Sequence, residues 1–140
     1  MPIPSIIRSA GAVVLGLILA LALAAAVEGF GAIAHPFPDD FDGSFEAMLE
    51  HLASYPGWLF AAGALMWGAS VFASTWLATR FGTARHAAHG IVVGAVLLIA
   101  VLFNMYFLPY PWWFEVTNLI LFPLGTYLGI KLARSGQTQS

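Results

Sequence analysis

Glu28, Asn104 and Asn118 are the polar side chains that could do chemistry inside the otherwise apolar stretches of this chain. An acid in such surroundings is a functional candidate by default, because lipid offers nothing to stabilise a charge. Asn104 lies five residues before Pro109, Asn118 five residues after Trp113, and Glu28 six residues before Ala34. By helical rise each is then about 7–9 Å inside its helix end, in one layer. His35, Tyr106, Glu115 and Thr117 fall close to that layer, and Gly63 leaves room in it. Two accounts are open. In one, Glu28, His35, Asn104, Glu115 and Asn118 line a polar pocket that opens outward, with Glu28 as its ionisable centre. In the other, the two amides are interhelical glue and Glu28 reaches interfacial water.

The other candidate chemistry is weaker. The segment His35 to Pro56 carries five of the seven acidic residues and no Lys or Arg. Its Asp39-Asp40-Phe41-Asp42-Gly43 resembles a calcium loop, but an EF-hand aligned on Gly43 needs acids where Pro38 and Leu49 stand. A looser divalent-cation site would use Asp39, Asp40, Asp42 and Glu46, against the plain reading of a solvated acidic loop. Glu28 and His35 share a helical face and with Asp39 could make a zinc site, and His86 with His89 could ligate haem or metal, although a haem would need an opposing axial ligand that no other span offers. Ser70, Ser74 and Thr75 suit bonds to their own helix better than nucleophilic roles. With no cysteine, no Gly-rich phosphate loop, no HExxH and no GxSxG, the expectation is no cofactor and no catalytic residue.

The elements that must position these residues follow from composition. Hydrophobic residues make up 60% and charged residues 9% of the 140, where a soluble domain has roughly a quarter charged. The chain therefore reads as one integral membrane domain. Apolar stretches at about 10–34, 58–79, 87–108 and 114–132 are long enough to cross a hydrocarbon core of about 30 Å. The first could instead be a signal peptide cleaved after Ala24-Ala25-Ala26, although the apolar run continues beyond it. His35-Pro36-Phe37-Pro38 ends the first span, and the outer acidic loop runs over 35–57. Within it Ser44 can cap a short helix whose Phe45, Met48, Leu49 and Leu52 form one apolar stripe. That helix is too short to span and should lie on the membrane or over the bundle.

Arg8, Arg80, Arg85, Lys131 and Arg134 all fall at the same side of a four-span arrangement. The positive-inside rule makes that side cytoplasmic. Trp58 and Trp76 stand 18 residues apart, about 27 Å along a helix, one at each interface. Gly90-Ile-Val-Val-Gly94 and Gly125-Thr-Tyr-Leu-Gly129 are GxxxG pairs at matching cytoplasmic depth, joined there by Gly11 and Gly16, so this end should pack tightly. The expected fold is all-α: an antiparallel four-helix transmembrane bundle with a short amphipathic cap helix in the first outer loop. Five scattered basic residues and a net charge of −2 exclude a nucleic-acid surface.

The stretches from Val27 to Pro38, VEGFGAIAHPFP, and from Phe103 to Asn118, FNMYFLPYPWWFEVTN, resemble segments of small four-span bacterial membrane proteins to which no activity is attached. The resemblance implies a bacterial inner (plasma) membrane setting and no site residue. Taken together, the expectation is a non-enzymatic multi-pass protein, both termini cytoplasmic, that binds a membrane lipid or small ligand, or a protein partner, through its outer half. The competing readings are an accessory subunit of a larger complex, a small homo-oligomeric transporter using Glu28, and an enzyme acting on a lipid with Glu28 or Glu115 as base and His35 assisting.

Overall fold

A computed structural model of the protein describes residues 4–137. Its order is α1 (Ser5–Ala34), α2 (Phe45–Ala53), α3 (Gly57–Phe81), a 3₁₀ turn (Thr83–Arg85), α4 (Ala87–Phe107), α5 (Trp112–Arg134) and a final 3₁₀ turn (Ser135–Gln137). Helices α1, α3, α4 and α5 are each long and apolar enough to cross a membrane. By length and composition the chain is a multi-pass membrane protein.

Proline sets most of the boundaries. Pro4, Pro56 and Pro111 are the N-cap residues of α1, α3 and α5, positions where a missing N–H costs nothing. Pro36 forces the residue before it out of helical conformation, and His35 duly leaves it (φ −142°, ψ 80°). Pro123 is the exception, standing inside α5; such a helix persists in apolar surroundings when neighbours compensate the lost bond. The α3–α4 turn is tight, with Ala84 and Arg85 both at positive φ (52° and 48°).

Helix α3 is the centre. It packs against α1, α4 and α5, most extensively against α5, and its Ala64, Val71, Ser74, Thr75, Ala78 and Thr79 are buried. Small residues make this approach possible, since lipid supplies no hydrophobic drive and packing must come from close contact. A Cβ on Gly129 would stand 2.6 Å from the Phe72 carbonyl oxygen and 3.0 Å from the Trp76 nitrogen. One on Gly16 would stand 2.9 Å from both Ala78 Cβ and Ser74 O. Gly90 and Gly94 are closed in by Thr79, Ile130 and Thr126. The GxxxG pairs therefore serve helix packing, with α5 seated on α3. Gly11, grouped with them on sequence, has nothing within 4 Å of that position.

The two ends differ in what ties them. At the basic end Arg8 Nε donates to Phe81 O (3.1 Å), and Thr83 Oγ1 accepts from Ser9 Oγ (3.0 Å) while donating to Ser5 O (2.9 Å). At the acidic end the tie is aromatic.

Candidate functional site

At the acidic end the helices diverge around a cavity of about 640 Å³. Val27, Glu28, Phe30 and Gly31 of α1 form one wall, and Met48, His51 and Leu52 of α2 another. Leu59, Phe60, Gly63, Met66 and Trp67 of α3 form the third, and Asn104 of α4, Leu108 and Tyr110 of the α4–α5 turn and Phe114 of α5 close it. A smaller cavity of about 60 Å³ lies beside it, sharing Trp67, Asn104, Tyr110 and Phe114 and reaching Ser70.

Local chemistry builds these walls. The Asp42 carboxylate accepts the Ser44 N–H (2.8 Å), and Ser44 Oγ accepts from Ala47 N–H (3.1 Å), so α2 starts at a defined place. The Ser44 hydroxyl, then its backbone N–H, hold the Asp42 carboxyl below the usual carboxylate range. Ser54 Oγ donates to His51 O (2.6 Å), which spends its only proton; the 2.9 Å contact with His35 Nε2 is then a bond the imidazole donates. His35 stacks on His51 (ring centroids 5.0 Å) and meets Tyr55 edge-on (5.2 Å), while Phe37 lies on His51 (4.3 Å). From Tyr55 the chain of rings continues through Phe60 (5.6 Å) to Phe114 (5.4 Å) and Tyr110 (4.7 Å from Phe114). Offset and edge-on pairs of this kind add about 0.5–1.5 kcal/mol each beyond area burial.

Two phenols face the same negative charge. Burial, and then the Glu28 and Tyr55 charges, push the Tyr110 phenol up to about 12. Burial and then Glu28 raise Tyr55 as well. Both phenols therefore remain neutral hydroxyls at any physiological pH, with the Glu28 carboxyl near enough to be felt by each.

The residues proposed from sequence are divided by this geometry. Glu28 and Asn104 are in the cavity wall. His35 stands behind it, bracing His51 and Ser54. Glu115 is half-buried in the first turn of α5, where the helix dipole favours an anion, and is not in the wall. Asn118 is fully buried; its Nδ2 donates to Phe114 O one turn back in its own helix (2.8 Å), and its Oδ1 has no partner. It is neither a lining residue of the cavity nor a bond between helices. Because an unpaired buried carbonyl is costly, Asn118→Leu is expected to raise stability by about 1–2 kcal/mol in detergent melting, with ligand retention unchanged. A loss of stability would mean that the amide is satisfied in the membrane.

Asp39, Asp40, Asp42 and Glu46 are all exposed, and among the described residues no three His, Asp or Glu side chains converge as metal ligands would. At the basic end both imidazoles have backbone partners: His86 Nδ1 accepts from Ala88 N–H (3.2 Å), and His89 Nδ1 donates to His86 O (2.8 Å).

His51, Tyr55, Trp67 and Tyr110 are wall residues that the sequence reading did not select. A signal existed for two of them. Met48, His51, Leu52 and Tyr55 follow i, i+3, i+4, i+7, and this is the face turned to the cavity. The stripe beginning at Phe45 is displaced from it, and Phe45 is 59% exposed. Comparison of the chain with family models, with curated proteins and with solved structures gives no match.

Proposed function

We propose that this is a non-enzymatic, multi-pass inner-membrane protein that holds a lipid-like or small amphipathic ligand in the cavity at its acidic end. The proposed arrangement is an antiparallel four-helix bundle with both termini cytoplasmic. The acidic end is then outermost and α2 lies over the cavity as a cap. The placement of all five basic residues at the opposite end supports that orientation. The observation that carries the ligand reading is the cavity itself: about 640 Å³, within the range of small-molecule sites at roughly 300–1,000 Å³, with apolar walls and a few convergent polar groups.

Gly63 offers a clean test. It lies in the cavity wall, and nothing stands within 4 Å of where its Cβ would be. Gly63→Leu should therefore project into the cavity and block part of it without displacing the backbone, and it replaces a helical glycine by a better helix former. In native mass spectrometry of the protein gently extracted from its own membrane, the wild type is expected to retain a small molecule or lipid. Gly63→Leu should lose at least nine-tenths of it while melting no lower. Undiminished retention in Gly63→Leu would remove the cavity as the binding site. A stoichiometric protein in place of a ligand would make the chain a subunit of a larger complex.

A further inference from the structure

The cavity's charge pattern names its ligand class more narrowly, on the premise that it is a binding site. Among the described residues Glu28 is the one carboxyl in its walls, and no Lys or Arg lines it. The five basic residues lie at the other end of the helices, in the first turn of α1, at the end of α3, in the α3–α4 turn and at the end of α5. Glu28 keeps exposed surface, and a carboxylate standing on an apolar wall with no cation beside it favours whatever brings one. The same walls include the rings of Tyr55, Phe60, Trp67, Tyr110 and Phe114, and an aromatic face turned to a cation attracts it by about 0.5–2 kcal/mol when water is excluded. Both phenols are held neutral, so neither competes with Glu28 as an anion.

We infer that the cavity takes a lipophilic monovalent cation. Its charged centre sits against Glu28 and the aromatic rings, and its apolar part lies along Met48, Leu52, Leu59 and Met66. A fatty acid or an anionic lipid would place like charge beside Glu28. A phosphate-bearing zwitterionic lipid would bring an anion for which the walls hold no Lys or Arg. A neutral ligand would leave the carboxylate unpaired or require it to take up a proton. Each of these is disfavoured by the same feature.

Tetraphenylphosphonium and tetraphenylborate, a cation and an anion of nearly the same shape, separate charge from fit. The full-length protein in phosphatidylcholine nanodiscs is titrated with each by calorimetry at pH 8. The cation is expected to bind saturably, one per chain, and the anion not to saturate. Glu28→Gln should weaken cation binding at least tenfold, and Gly63→Leu should abolish it. If the anion binds as well as the cation, or Glu28→Gln leaves cation affinity unchanged while Gly63→Leu removes it, the cavity is a binding site but not one selective for cations. If neither probe binds saturably, the inference is overturned. Retention of an endogenous ligand sensitive to Gly63→Leu then decides whether the broader reading survives.

Discussion

Gly129→Ala is expected to destabilise the protein by about 1–3 kcal/mol, although the same change in an unobstructed helix gains up to about 1 kcal/mol. The added methyl has nowhere to go. Its position lies 2.6 Å from the Phe72 carbonyl oxygen and 3.0 Å from the Trp76 nitrogen. Both are backbone atoms of the central helix, so relief requires α5 to move away from α3 along its whole contact. Among the described residues that is the most extensive contact between two helices. In lipid a separated pair of helices forfeits its dispersion contacts without any hydrophobic compensation, so Gly129→Leu should prevent assembly. Gly11→Ala is the control, because nothing lies within 4 Å of the new methyl; it should be neutral or slightly stabilising. Melting temperatures of the two alanine variants in one detergent check this. Equal values would mean that α5 does not approach α3 so closely.

Phe60→Ala should cost about 3 kcal/mol, the low end for loss of a buried phenylalanine, because the void it leaves opens into space that already exists. Phe60 is 8% exposed and meets Tyr55 at 5.6 Å, Tyr110 at 6.1 Å, Trp113 at 6.3 Å and Phe114 at 5.4 Å between ring centroids. It is thus the ring through which the loop before α3 is joined to the turn between α4 and α5. Its removal should loosen both phenols and lower ligand retention together with stability. Phe103→Ala, at a ring 65% exposed, should change stability by less than about 0.5 kcal/mol. If the two variants melt alike, the aromatic chain does not hold the acidic end together.

The amino-acid sequence by itself determined the spans, the segregation of acid from base and the close approach at the basic end. These depend on local quantities: length of apolar run, position of proline, and the presence of glycine where backbones meet. Glu28 and Asn104, which line the cavity, were legible as candidates for the same reason, since a polar group in an apolar run is conspicuous wherever the helix turns. Tertiary structure alone decided the rest. Asn118 looks equivalent to Asn104 in sequence, yet the rotation of α5 buries it against its own helix while Asn104 enters the cavity wall. His35 and Glu115 sit at the right depth but are not in the cavity wall: His35 belongs to a bracing stack, and Glu115 lies in the first turn of α5. Tyr55 and Tyr110 stand 55 residues apart in loops and meet near Glu28 only because Phe60 and Phe114 pack between them. Depth along a helix follows from counting residues, whereas facing is set by which neighbour packs against it, and that is a property of the whole bundle.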